Sequence, residues 1–217
     1  IKRNRNFNSY LGDRYSNDEI KKLIEINKKK LSGFKIMFLK NKDLSDLVAQ
    51  KISKGYVVGY FQGRMEWGAR ALGNRSILCD PRNPNAKELL NKKIKKRESF
   101  RPFAPSILSE KVKYWFEQTD KVDHMMQVFL IKKNKRDVIP AVTHVDGTGR
   151  LQTVSYETNK NYYNLIKSFF KITKIPMVLN TSFNENEPIV CKPKEALDTF
   201  LRTRMDILVL ENWIIMR

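Results

Sequence analysis

Apolar positions fall into two rhythms along this chain. Leu44, Leu47, Val48 and Ile52 recur at the spacing that lines one face of a helix, and the pattern stops at Gly55. Directly afterwards Tyr56-Val57-Val58-Gly59-Tyr60-Phe61 is an unbroken run of mostly β-branched and aromatic residues, which predicts a buried strand. Residues 84–97 predict a helix with Ala86, Leu89, Leu90 and Ile94 on one face and lysines on the other. Leu165, Ile166, Phe169 and Phe170 give a further helix over 162–170. Pro193, suited to a first helical turn, starts another that carries Leu197, Phe200 and Leu201. Short apolar runs at 103–108, 126–131, 176–179 and 207–210 predict strands, the last of them the final strand of the chain. Residues 141–145 and 151–154 flank Asp146-Gly147-Thr148-Gly149, so a hairpin-like return is expected there. Before residue 45 core signal is sparse, with one capped amphipathic helix predicted where Asn17-Asp18-Glu19 precedes Ile20, Leu23 and Ile24. The alternation of helices and strands, without internal repeat or low-complexity tract, defines an α/β protein.

Composition refines this picture. The chain has 217 residues, 41% hydrophobic and 11% aromatic, enough for the core of one domain, or of one domain plus an appendage. It opens on Ile1 in charged, asparagine-rich sequence, so a fragment or a processed chain is expected, with residues 1–45 a connector from a preceding domain. There is no secretory signal, and no apolar run approaches the ~20 residues of a membrane span. Cys79 and Cys191 make no C-x-x-C pair, which argues against a redox motif or a zinc ribbon. Both are expected to be free, buried thiols in a reducing cytoplasm. The 42 Lys and Arg against 23 Asp and Glu leave a net charge of +19. That balance suggests an anionic partner, either nucleic acid or a phosphate-rich small substrate, and is equally the mark of a solvated lysine-rich surface.

Four segments concentrate candidate chemistry. The first, residues 63–76, follows a predicted strand and interleaves Gly63, Gly68 and Gly73 with Arg64, Arg70 and Arg75. Glycine lets backbone N–H groups approach a ligand and arginine supplies forked donors to phosphate or carboxylate oxygens, so a phosphate site is one reading; an Arg64–Glu66 pair is the plainer one. No Gly-Lys-Ser/Thr follows, so this is not a Walker loop. The second is Lys95-Lys96-Arg97-Glu98-Ser99-Phe100-Arg101-Pro102-Phe103-Ala104-Pro105, where prolines hold Arg101 at the start of an apolar strand. If buried there, Arg101 requires an anionic partner, because an unpaired buried charge costs several kcal/mol to order of magnitude. The third, residues 143–152, puts Arg150 at a strand edge and offers His144 either as a general base or as a structural histidine. The fourth is Asn180-Thr181-Ser182-Phe183-Asn184, polar groups at the end of an apolar strand, where α/β sheets present ligand contacts and where turns also begin.

In family order, residues 63–77, 91–106, 140–153, and 180–184 with Glu187-Pro188-Ile189-Val190-Cys191 resemble the signature blocks of the carboxy-terminal domain of O-carbamoyltransferases of the nodulation and antibiotic-tailoring kind. The resemblance covers the chain from about Leu44 to its end. It implies a YrdC-like fold over residues 46–217: a twisted mixed sheet flanked by helices around a basic, concave nucleotide site. It implies that ATP, with bound magnesium, and carbamoyl phosphate react there to give carbamoyl-adenylate and pyrophosphate. An amino-terminal kinase-like domain, absent from this chain together with its metal-holding histidines, then passes the carbamoyl group to a hydroxyl acceptor. No protein-held metal is therefore expected here, and residues 1–45 would be the link to that domain. The family's site residues match as Lys95, Arg101 and Arg150 for catalysis, and as Arg70, Asn180 and Ser182, with Arg97 beside them, for holding the nucleotide and carbamoyl group. One departure concerns residues 184–187, where a glycine common in the family is missing.

Two other functions fit parts of the sequence. YrdC-like relatives work in transfer-RNA modification, so an RNA-binding module is the alternative, weakened because aromatic and basic residues do not alternate in a recognition pattern. The third is a non-catalytic interaction domain.

Overall fold

Chain order in the computed structural model is α1 (Asn17–Ile26), β1 (Lys35–Phe38), α2 (Asn41–Ser53), β2 (Val58–Phe61), β3 (Arg75–Cys79), α3 (Ala86–Leu90), β4 (Ala104–Leu108), β5 (Gln127–Leu130), β6 (Thr148–Val154), α4 (Lys160–Thr173), β7 (Met177–Ser182), α5 (Pro193–Arg202), β8 (Ile207–Leu210) and β9 (Trp213–Met216). Residues 8–98, 100–118 and 120–217 are described; the first seven residues of the expected connector and Ser99 of the second segment lie outside them.

The strands form one mixed sheet in the order β1-β9-β8-β2-β3-β7-β4-β6-β5. β2 with β8 and β4 with β6 are parallel, and the other neighbours are antiparallel. Every residue of β2, β3, β4 and β8 is buried, as expected of strands covered on both faces. Tyr60 meets Tyr162 of α4 on one face, while Phe61, pointing the other way, meets Tyr15 just ahead of α1. Burying an aromatic or branched aliphatic side chain this fully stabilises the fold by roughly 1.5–3 kcal/mol each.

Local sequence explains most elements. Ser16 caps α1 by accepting from the Glu19 amide while the Glu19 carboxylate accepts from the Ser16 amide. Pro193 occupies the first turn of α5. The stretch read as sparse contributes Ile20 and Ile24 to the core and supplies β1, which pairs residue for residue with β9 from Lys35↔Met216 to Phe38↔Trp213.

Three expectations are corrected. Residues 141–145 form turns, and β6 pairs instead with β5 and β4, because Gly147 (φ 80°) lets the Gly147 amide reach the His144 carbonyl and close a local turn. The helix expected over 84–97 ends at Leu90 and continues as one widened π turn, Asn91–Lys95, stopped by Lys96 in a left-handed conformation (φ 43°). Cys79 is a buried free thiol as expected, whereas Cys191 is exposed, since it precedes α5 outside the sheet.

Candidate active site

The hairpin of β2 and β3 is joined by residues 62–74, which hold the first segment up to Asn74, with Arg75 and Ser76 opening β3. Arg75 closes this loop from inside. Its guanidinium lies 3.6 Å from the Phe61 ring centre and donates to the carbonyls of Gln62 (2.8 Å), Asn74 (2.9 Å) and Asp13 (3.1 Å). The buried Glu66 accepts from the amides of Leu72 (2.6 Å), Asn74 (2.8 Å) and Arg75 (3.1 Å). Glu66 thus fixes the loop and does not pair with Arg64, which reaches the Gly12 carbonyl. Gly73 (φ 107°) is required because a Cβ there would lie 2.1 Å from the Tyr162 ring. Of the three arginines in the segment, only Arg70 points to ligand chemistry.

The widened turn after α3 turns Lys95 inward. The residue is 1% exposed, and its ammonium donates to the Ser182 carbonyl (2.5 Å), the Asn184 carbonyl (2.8 Å) and Asn184 Oδ1 (2.6 Å), with Ser182 Oγ at 3.2 Å. Burial, then the neighbouring Arg97, lowers its pKa to about 7. The glycine-free loop wraps this ammonium. Asn184 Nδ2 donates to the Glu187 carbonyl, Glu185 pairs with Lys96 (2.5 Å) and Arg202 (3.2 Å), and Glu187 pairs with Arg202. No described residue of 183–189 has a left-handed backbone, so nothing in this loop calls for glycine.

Two adjoining clefts open over the ends of β4, β6 and β7. The smaller, about 260 Å³, is lined by Arg70, Arg97, Arg101, Arg150, Asn180 and Ser182, with Phe103 and Met125 as apolar floor and no carboxylate. The larger, about 570 Å³, adds Lys95, Lys96 and the 184–186 loop and shares Arg97, Arg101 and Ser182. Among the described residues Arg70, Arg97 and Arg150 have no carboxylate within ion-pair distance. The Nε groups of Arg70 and Arg150 are buried without a partner. Arg97 donates to Asn91 Oδ1 (2.8 Å) and stacks over Phe103. Burial foremost, then Arg70 and Arg97, lowers the pKa of Arg150. The lining is thus a set of guanidiniums facing one space, an arrangement matched to a polyanion.

All seven sequence-predicted residues therefore come to these two joined clefts, in unequal ways. Arg70, Arg97, Arg101 and Arg150 face the space directly. Lys95 is spent on the 182–184 backbone. Asn180, 1% exposed, turns its Nδ2 inward to Ala71 O (3.1 Å), Ser106 Oγ (3.0 Å) and Gln152 Oε1 (3.1 Å). Burial of Arg101 is corrected: its side chain is 52% exposed and paired with Glu98 (2.8 Å), because the chain enters the core only at Phe103. His144 lines neither cleft and binds Thr148 Oγ1 (3.0 Å) within its own turn. Asn184, Gln152 and Glu66 were missed as site builders, and no periodicity or spacing distinguishes them from ordinary polar residues. Among the described residues no group of three or more His, Cys, Asp or Glu is arranged to hold a metal ion, and no helix is long and apolar enough to cross a membrane.

This sheet with a basic cleft at its strand ends is a YrdC-like α/β architecture. It superposes on HypF of T. kodakarensis with a TM-score of 0.52 over 83% of this chain and 22% of that one. On YciO of E. coli the TM-score is 0.51 over 78% of each chain; both are 16% identical in sequence, a likeness of fold alone. Residues 49–217 match the family described as carbamoyltransferase C-terminus, and the chain belongs to that family. Nodulation protein NolNO of Sinorhizobium fredii is 48% identical over 80% of this chain. The chain spans well under half the length of the curated relatives it matches, 26% in the case of NolNO.

Proposed function

We propose that this chain forms carbamoyl-adenylate from ATP and carbamoyl phosphate, and that the amino-terminal half of the full-length protein transfers the carbamoyl group to a hydroxyl acceptor. In that division residues 46–217 are the adenylate-forming unit and 1–45 lead into it from the kinase-like half. The observation that carries the reading is the smaller cleft: four guanidiniums from three separate stretches, walled by strand ends, with no carboxylate in its lining. Atom balance sets the order of events. Carbamoyl phosphate gives up phosphate to water, leaving carbamate. A carbamate oxygen then bonds to the α-phosphorus of ATP while the bond from that phosphorus to the pyrophosphate oxygen breaks. Charge builds on non-bridging oxygens, so positioned cations supply most of what the protein must contribute. Arg101 and Arg150 would meet the reacting phosphate and carbamoyl oxygens, with Arg70 and Arg97 on the remaining phosphates. Ser182 lines both clefts; its Oγ accepts from Lys95 beneath it and donates to Asn184 Oδ1, a bond it would exchange for a ligand oxygen. Magnesium enters as part of the ATP substrate.

The test is isotope exchange with the chain as it stands. Labelled pyrophosphate should enter ATP when magnesium and carbamoyl phosphate are both present, and not when carbamoyl phosphate is withheld. Exchange absent under all conditions, together with no ATP binding by titration calorimetry, would refute the reading.

A further inference from the structure

The smaller cleft raises a mechanical question. Arg70, Arg97 and Arg150 face one space with no carboxylate in its lining, so their charges repel when no anion is between them. Arg70 lies on an irregular loop, which has no ladder of its own to resist that repulsion. Backbone bonds hold the loop at Gln62, Met65 and Trp67, and next to Arg70 side chains take over. The carbonyl of Ala71, next to Arg70, accepts from Asn180 Nδ2. The carbonyl of Leu72 accepts from Gln152 Nε2 and from the Tyr10 hydroxyl, each at 2.9 Å.

Gln152 in turn is held by Ser106. Ser106 Oγ donates to Gln152 Oε1 at 2.6 Å, and the two residues are register partners in β4 and β6. Ser106, Gln152 and Asn180 are 0%, 1% and 1% exposed and sit on three adjacent strands among apolar neighbours. An apolar trio would close the sheet as well and leave no polar atom to desolvate. Instead Gln152 and Asn180 carry their amide donors to two carbonyls of the loop that bears Arg70, and the Ser106 hydroxyl donates to Gln152 behind them.

We propose that Gln152 and Ser106 are positioning residues for Arg70. Gln152 holds the Leu72 carbonyl, and Ser106 orients Gln152 while accepting from the Asn180 amide that holds the Ala71 carbonyl, so the Arg70 guanidinium stays in the cleft against Arg97 and Arg150 and is preset for a phosphate-bearing ligand. The inference rests on the nucleotide reading only for the identity of that ligand.

A double-mutant cycle on affinity for inorganic pyrophosphate, read by titration calorimetry, tests it. Gln152→Met and Arg70→Ala should each weaken binding roughly tenfold, the effect of one lost hydrogen bond or more. The double variant should bind no more than about twofold more weakly than Arg70→Ala alone, because Gln152 acts through Arg70. Additive losses, or a Gln152→Met chain with unchanged affinity, overturn the proposal. Thermal unfolding is followed in parallel. Should Gln152→Met not fold, the cycle is run with Ser106→Ala under the same criteria. A wild-type chain that binds neither pyrophosphate nor ATP overturns the reading of the cleft and this proposal with it; failure of the cycle in a wild type that binds overturns this proposal alone.

Discussion

Lys95→Met should change the way stability depends on pH. In the unfolded chain the lysine has its ordinary pKa of 10.5, and in the fold burial and Arg97 lower it to about 7. A lowered pKa means that between those two values the unfolded chain holds more protons than the folded one, so stability from this group rises with pH. The advantage is complete above 10.5 and is lost as pH falls through about 7. The slope approaches about 1.4 kcal/mol per pH unit, and over the whole window the change is of order 4–5 kcal/mol. Methionine keeps much of the stem and removes the titrating group. Urea unfolding of wild type and variant every half unit from pH 6.5 to 9.5 lets the other ionisations cancel in the difference. The stability of wild type relative to the variant should climb steadily above neutrality. A flat difference across the range would show that the four oxygens around the ammonium keep it charged, and that hydrogen bonding outweighs burial and the repulsion of Arg97.

Other outcomes follow from the same structure. Arg101→Ala should lower ATP–pyrophosphate exchange by about one to two decades or more. Its melting temperature should barely move, since the side chain is half exposed and its ion pair is with the equally exposed Glu98; exchange at the wild-type rate would remove Arg101 from the mechanism. Gly73→Ala places a methyl inside the Tyr162 ring at a left-handed backbone and should destabilise by about 3 kcal/mol or more in urea unfolding. Arg75→Lys retains the charge but cannot reach the carbonyls of Gln62, Asn74 and Asp13 together, so a loss of about 2 kcal/mol or more is expected by the same measurement. A neutral result would mean that the fork geometry is dispensable.

Elements with plain patterning were legible in the sequence: β2, β4, β7, α4 and α5 lie where their apolar runs and Pro193 put them. β3 was hidden because its first residue is Arg75, and periodicity treats arginine as surface; only the folded loop shows a guanidinium whose terminal nitrogens are held by carbonyls against an aromatic face. β9 escaped because it follows β8 after only Glu211-Asn212, a tight turn without glycine in which Glu211 itself takes the left-handed conformation (φ 49°). The cleft was legible as four stretches of suggestive residues, each bearing its own arginine or hydroxyl. What those stretches could not convey was orientation. Lys95 lines the larger cleft, and one widened turn of backbone also ties its ammonium to the Ser182 and Asn184 carbonyls, which no sequence pattern announces. Gln152 gave no signal, since its role depends on a Leu72 carbonyl eighty positions away.

The pairing of β1 with β9 bears on how this domain can be handled. A chain trimmed to start at residue 49, where the family match begins, would lose α1, β1 and much of α2. β9 would then become the sheet's margin, with those of its Trp213–Met216 amides and carbonyls that face β1 bare and Ile214 and Ile215 stripped of part of their cover. Such an apolar rim templates strand addition from other copies, so the shorter fragment would favour inclusion bodies over monodisperse protein.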